Sequence, residues 1–83
     1  MELSVEQHRE ALSAAFGDKP IRGFENMLQA MMTAYEAIGF KRGRNVMVKL
    51  LQYLTDTLKL VIKRDKLFYY DMTQAETMLF DEE

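Results

Sequence analysis

The sequence predicts an all-α protein, a small helical bundle of three main helices at about 5–16, 24–38 and 46–64, plus a short C-terminal helix at about 74–80. Three observations carry that expectation. Apolar residues recur at spacings of three and four, with polar residues in phase opposite them. Two capping boxes, Ser4-Val5-Glu6-Gln7 and Thr73-Gln74-Ala75-Glu76, mark helix starts. Glycine and proline fall between the periodic stretches rather than inside them. With 83 residues, the chain has room for a single domain, 1–83, and no second core.

The first helix follows from Ser4, which can accept a backbone N–H three residues on while Gln7 reaches back. Val5, His8, Ala11, Leu12, Ala15 and Phe16 share one face, and Glu6, Arg9, Glu10 and Ser13 the other. Gly17 is a natural terminator, and Pro20 forbids continuation. Residues 17–23 read as a connector that Ile21 tacks to the core. The second helix places Phe24, Met27, Leu28, Met31, Met32, Tyr35 and Ile38 on its apolar line and stops at Gly39. The loop Phe40-Lys41-Arg42-Gly43-Arg44-Asn45 comes next, with Asn45 as the expected N-cap of the third helix.

Two readings compete for the stretch after Asn45. Thr57 to Lys63 alternates in part, and Lys66 to Tyr70 is aromatic, so Arg64-Asp65 could turn a β-hairpin. Arg-Asp, however, lacks the Gly or Asn that primed two-residue turns favour. Met47, Leu50, Leu51, Leu54, Leu58, Val61 and Ile62 keep helical spacing, and Lys49, Gln52, Asp56, Lys59 and Lys63 make a complementary polar stripe. The spacing therefore predicts one helix over 46–64, about 28 Å long at 1.5 Å per residue. Eleven of the seventeen residues from Val46 to Ile62 are apolar, and Val46, Tyr53, Leu60 and Leu67 add a seven-residue line. An arc that wide asks for more cover than two short helices supply. Each large side chain left in water forgoes roughly 1.5–3 kcal/mol. The expectation is self-association, a homodimer being the simplest closed arrangement, or a stable partner.

Composition narrows the functional classes. Apolar residues make up 48% and charged residues 29%, which is globular rather than disordered. There is no cysteine, so no disulfide, thiolate metal site or cysteine nucleophile. The chain start carries no signal-peptide pattern, and the longest uncharged run, Asn26 to Tyr35, is ten residues, short of a membrane span. These features predict a cytoplasmic protein that does not enter the membrane. Nucleophilic catalysis is poorly supplied: Ser4 is a cap, Ser13 lies on a polar face, and His8 sits in an apolar line without a carboxylate at i±3 or i±4. Neither metal-ligand spacing nor a phosphate-binding glycine motif is present. The expectation is a protein that is not an enzyme and needs no cofactor.

Two candidate surfaces remain. The first is protein-binding. Met27 and Met31 share a helix face, and methionine suits adaptable contacts. Leu67, Phe68, Tyr69 and Tyr70 form an aromatic cluster of the kind favoured at interfaces. Both groups could equally be core. The second surface, the alternative, binds an anion or nucleic acid. Residues 41–66 hold eight basic groups against two acids, in a chain whose net charge is −2. Lys41, Arg42 and Arg44 precede a helix start and Lys49 extends the track, a placement that suits phosphate. The acidic ends of the chain could instead neutralise this segment. The function expected is thus a non-catalytic interaction module, an inhibitor, adaptor or assembly subunit docking on a larger protein. Its size compares with that of small accessory proteins encoded by phages, an analogy from size alone.

Overall fold

A computed structural model describes residues 3–17 and 19–71 of the chain. The element order is α1 (Val5–Phe16), β1 (Ile21–Arg22), α2 (Phe24–Ala37), α3 (Arg44–Gln52), a π-helical turn (Tyr53–Thr57), β2 (Val61–Arg64) and β3 (Leu67–Tyr70). The three strands form one antiparallel sheet in the order β1-β3-β2. The protein is therefore mixed α/β, and the all-α bundle expected from periodicity is overturned. The expected C-terminal helix at 74–80 lies outside the described residues.

The helical half forms where local chemistry calls for it. Ser4 and Gln7 make both bonds of the capping box, at 3.2 and 2.9 Å. Helix α2 ends in a Schellman motif. Gly39 takes φ +85°, the Gly39 N–H donates to the Glu36 carbonyl, and the Phe40 N–H reaches back to the Tyr35 carbonyl at 2.9 Å. The apolar contact that accompanies this motif is Tyr35 against Phe40, with ring centroids 5.9 Å apart. Helices α1 and α2 pack antiparallel, so His8 near the start of one meets Tyr35 near the end of the other.

The third helix is shorter than its apolar stripe. It begins at Arg44, capped by Gly43 rather than Asn45, and its α-geometry ends at Gln52. Over Tyr53–Thr57 the backbone widens to a π turn, and the Leu58 N–H donates to Tyr53, five residues back. The Thr55 hydroxyl donates to the Leu51 carbonyl at 2.8 Å, the back-bonding that competes with a regular ladder. Lys59 then takes φ +58°, and Leu60 N–H closes the end on the Leu54 carbonyl. The helix cannot pass a left-handed residue, so the rod expected over 46–64 stops before Leu60. Val61 and Ile62, in phase with the stripe, enter a strand instead, where β-branched side chains are at ease.

The hairpin turn sits one residue later than the rejected hairpin reading placed it. Arg64 pairs with Leu67, so Asp65 and Lys66 are the two central residues, at φ +54° and +66°. Positive φ at both positions marks a type I′ turn, whose twist matches the flanking strands. Asp tolerates this conformation, and Lys66 is held in it against its preference. What outweighs that local cost is tertiary. Ile21 pairs with Phe68 and Arg22 with Leu67, making the aromatic β3 the central strand of three. Phe68 then packs edge-on to Phe24 (6.3 Å between centroids), and Tyr70 packs on Phe16 (5.6 Å).

One core runs through both halves. Leu12, Phe16, Met27, Leu28, Met31, Tyr35, Met47, Leu51, Leu54, Leu60, Val61 and Phe68 are all buried. Among the described residues no charged side chain is buried. Leu60, one of the four residues expected to want outside cover, is fully enclosed. Val46 and Tyr53 are 50% and 49% exposed, and Leu67 is half-buried on the sheet. Shortening the helix removes most of the apolar excess from which a homodimer was expected.

Candidate docking face

Register assigns every sheet residue to a face, because residues directly opposite each other point the same way and neighbours along a strand point oppositely. Val61 opposes Tyr70, and Lys63 and Ile21 flank Phe68. That set looks inward, toward the helices, with Lys63 reaching past the edge of the core into solvent. The other set looks outward. In it Arg22, Leu67 and Arg64 stand in one row across the three strands, and Ile62 and Tyr69 stand in the next. Ile62, Leu67 and Tyr69 are half-buried and lie outside the core cluster, while Arg22 and Arg64 are exposed.

The outward face is therefore a small apolar strip with a guanidinium on each side. With strands about 4.8 Å apart, the Arg22 and Arg64 backbones lie about 10 Å from each other across Leu67. The Arg64 guanidinium sits 5.6 Å from the Tyr69 ring centroid, the diagonal neighbour on that face. Lys66 and Asp65 are exposed at the hairpin tip beside it. Such a face can bury apolar side chains and pair carboxylates at once.

The predicted site residues divide on this geometry. Leu67 and Tyr69 lie on the outward face. Phe68, 6% exposed, is core, and Tyr70 packs inward on Phe16. Met27 and Met31 are 0% exposed in the middle of the helical core, so no partner reaches them. Alternation along the strand separates the four-residue cluster two and two, which a helical reading could not do. Ile62, Arg22 and Arg64 are additions that the sequence reading missed. The signal for Ile62 was the partial alternation of residues 57–63, Arg64 stood in the candidate turn Arg64-Asp65, and for Arg22 there was no signal, since a two-residue strand has no period.

The predicted anion track is largely occupied by its own chain. Both Arg44 amino groups donate to the two Glu25 carboxylate oxygens, at 2.9 and 2.7 Å, a bidentate pair that lowers the Glu25 pKa and raises that of Arg44. Lys41 Nζ lies 3.8 Å from a Glu36 oxygen. The Arg42 guanidinium lies 4.0 Å over the Phe40 ring, the residue that closes the α2 terminus. Lys49 is exposed one turn further along α3.

His8 is half-buried, with Nδ1 2.8 Å from the Tyr35 hydroxyl and the two rings edge-to-face. Burial lowers the His8 pKa, because the imidazolium is the form that loses water. Burial raises the Tyr35 pKa, so its hydroxyl keeps its proton. Among the described residues no group of His, Asp and Glu stands close enough to hold a metal ion. Among them also, no helix is long and apolar enough to cross a membrane. No protein-family model matches the chain, and no match is found among curated proteins or solved structures.

Proposed function

We propose that the protein is a non-catalytic interaction module that docks on an acidic surface of a larger protein through the outward face of its sheet. One observation carries this reading: Leu67 stands between Arg22 and Arg64, beside Ile62 and Tyr69, on a face that the core does not use. Half-buried apolar side chains contribute affinity when a partner completes their cover, and arginines at the rim select for carboxylates. Tyrosine and arginine are also the residue types that carry most of the energy in protein interfaces. A second copy is not required by this reading. Val46 and Tyr53 are the large apolar side chains left exposed elsewhere among the described residues. Two residues fall well short of the roughly 800 Å² per partner of a stable interface.

The nucleic-acid alternative at Lys41, Arg42, Arg44 and Lys49 gains no support from the geometry, since three of these cations already rest on Glu36, Phe40 and Glu25. The test compares affinity capture from the native cell by the intact chain and by Arg64→Glu/Tyr69→Ala, both verified as folded by circular dichroism. The docking face predicts an acidic protein partner captured by the first and lost by the second. Equal capture by both would place the interface elsewhere, and recovery of salt-labile nucleic acid in place of protein would reinstate the alternative.

A further inference from the structure

The two faces of the sheet are covered differently. On the inward face Tyr70 packs on Phe16 of α1 and Phe68 on Phe24 of α2. On the outward face Ile62, Leu67 and Tyr69 are half-buried and take no part in that core. An apolar sheet face is closed by one further layer, either a helix or a second sheet.

The dimensions of the face choose between the two. At about 4.8 Å per strand, the row Arg22-Leu67-Arg64 spans about 10 Å across the sheet. That is the breadth of a single helix, about 10–12 Å with its side chains. Strand β1 has only two residues, so a second sheet would overhang it. Along β3, Leu67 and Tyr69 stand about 6.8 Å apart. Successive residues of a helical seam, three or four positions apart, advance about 4.5–6 Å, close enough to seat one on each. Backbone chemistry points the same way. The N–H and C=O groups of a sheet lie in its plane and offer nothing to a chain laid over its face. A covering segment must therefore satisfy its own backbone, which a helix does alone and a single extended segment does not.

The charges define the flanks of that helix. Arg22 and Arg64 stand in one row, on opposite sides of Leu67. The Arg64 guanidinium lies 5.6 Å from the Tyr69 ring centroid, which keeps it beside the apolar strip. A helix lying over β3 brings one flank to each arginine. Carboxylates on both flanks pair with them, and cations there are repelled.

Resting on the reading of the sheet as a docking face, we propose that the partner contributes a single acidic amphipathic α-helix, laid along β3 as a third layer. Its apolar seam, positions a and d of a heptad, covers Ile62, Leu67 and Tyr69. Its carboxylates, at the flanking positions e and g, pair with Arg22 and Arg64.

The test is NMR on the full chain with a capped peptide of two Leu-Ala-Ala-Leu-Glu-Ala-Glu heptads as probe. One control replaces every Glu by Lys, and the other has the same composition reordered so that leucine and glutamate alternate. The expected result is NOEs from the peptide leucines to the Ile62 and Leu67 methyls and the Tyr69 ring, with helical i to i+3 contacts within the bound peptide. Binding should be at least tenfold tighter than for either control. Arg22→Glu/Arg64→Glu should reverse the preference between the glutamate and lysine heptads, with ring contacts between Phe24 and Phe68 showing that the fold is intact. Equal binding of the alternating peptide, or binding without helical contacts, would overturn the helix while leaving the docking face standing. Absence of any response to the glutamate heptads would also overturn it, with the capture experiment judging the docking face separately. In the free protein, NOEs from Ile62 and Leu67 to Leu79 or Phe80 would overturn the proposal in another way. Those residues precede Asp81-Glu82-Glu83, and the chain would then cover the face with a segment of the same chemistry. The same contacts seen between differently labelled copies would assign the cover to a second copy and overturn it equally.

Discussion

The α1–α2 hairpin and the region from Arg44 to Asp71 are similarly rich in apolar residues, yet they are specified differently. In α1–α2 each boundary is written in the residues beside it. Ser4 and Gln7 bond each other's backbones, and Gly39 supplies the positive φ that lets Phe40 fold back on Tyr35. In the second region the boundaries oppose local preference. Lys59 and Lys66 both adopt positive φ with a full side chain. Their conformations persist because Phe68 and Tyr70 gain Phe24, Phe16 and the strand Ile21–Arg22 as neighbours. Local chemistry decides the first region, and long-range packing decides the second.

That contrast can be broken most forcefully at Phe68. Phe68→Ala removes the side chain on which the sheet and α2 meet, and should cost about 3–5 kcal/mol, a large share of the stability of so small a domain. Urea unfolding followed by near-ultraviolet circular dichroism checks this. A loss below 1 kcal/mol would mean that the hairpin is an appendage rather than the agent that overrides Lys59 and Lys66. The local side of the contrast is tested at Gly39. Gly39→Ala forces a Cβ into the left-handed region and should cost about 1–2 kcal/mol, although the Cβ meets no neighbouring atom. The effect is one of backbone conformation alone.

The opposite sign is expected at the turn. Lys66→Gly relieves the conformation that packing imposes and should raise stability by about 1 kcal/mol in the same unfolding assay. A destabilised Lys66→Gly would mean that the lysine side chain contributes something that its exposure does not suggest. Ser4→Ala should cost about 1 kcal/mol through loss of the cap.

The smallest effect is the pH dependence at His8. Its folded pKa lies below the unfolded value of about 6.5, so the unfolded chain binds more protons as pH falls through that value. The neutral imidazole therefore contributes stability that is present above about pH 6.5 and declines below it. His8→Gln should flatten the stability profile between pH 7 and pH 5. An unchanged slope would assign that dependence to the carboxylates.

What the sequence made legible follows from the same division. The spans of α1 and α2 and their caps could be read because the groups that terminate them lie within a few residues. The helix expected over 46–64 could not be corrected from within, since Leu58, Val61 and Ile62 satisfy a helical stripe as well as the end of a helix followed by a strand. Placing the turn at Arg64-Asp65 rather than Asp65-Lys66 compounded the error, because Arg in the first central position does not tolerate positive φ, whereas Asp65 does. The site was half visible for the same reason. Leu67 and Tyr69 stood out as aromatic or apolar residues of an interface kind, but only the register removes Phe68 and Tyr70 and adds Ile62 and Arg64. Arg22 joins them through β1, a contact more than forty residues away in the chain.

The register of β2 on β3 is the claim beneath the docking face, and the NOE between α-protons across the hairpin reads it directly. Lys63 with Phe68 and Val61 with Tyr70 are the non-hydrogen-bonded pairs, whose α-protons approach most closely. Strong cross-peaks at those two pairs are the predicted result. Helical i to i+3 contacts running unbroken from Leu58 through Arg64 would contradict it, as would an α-proton contact between Lys63 and Leu67.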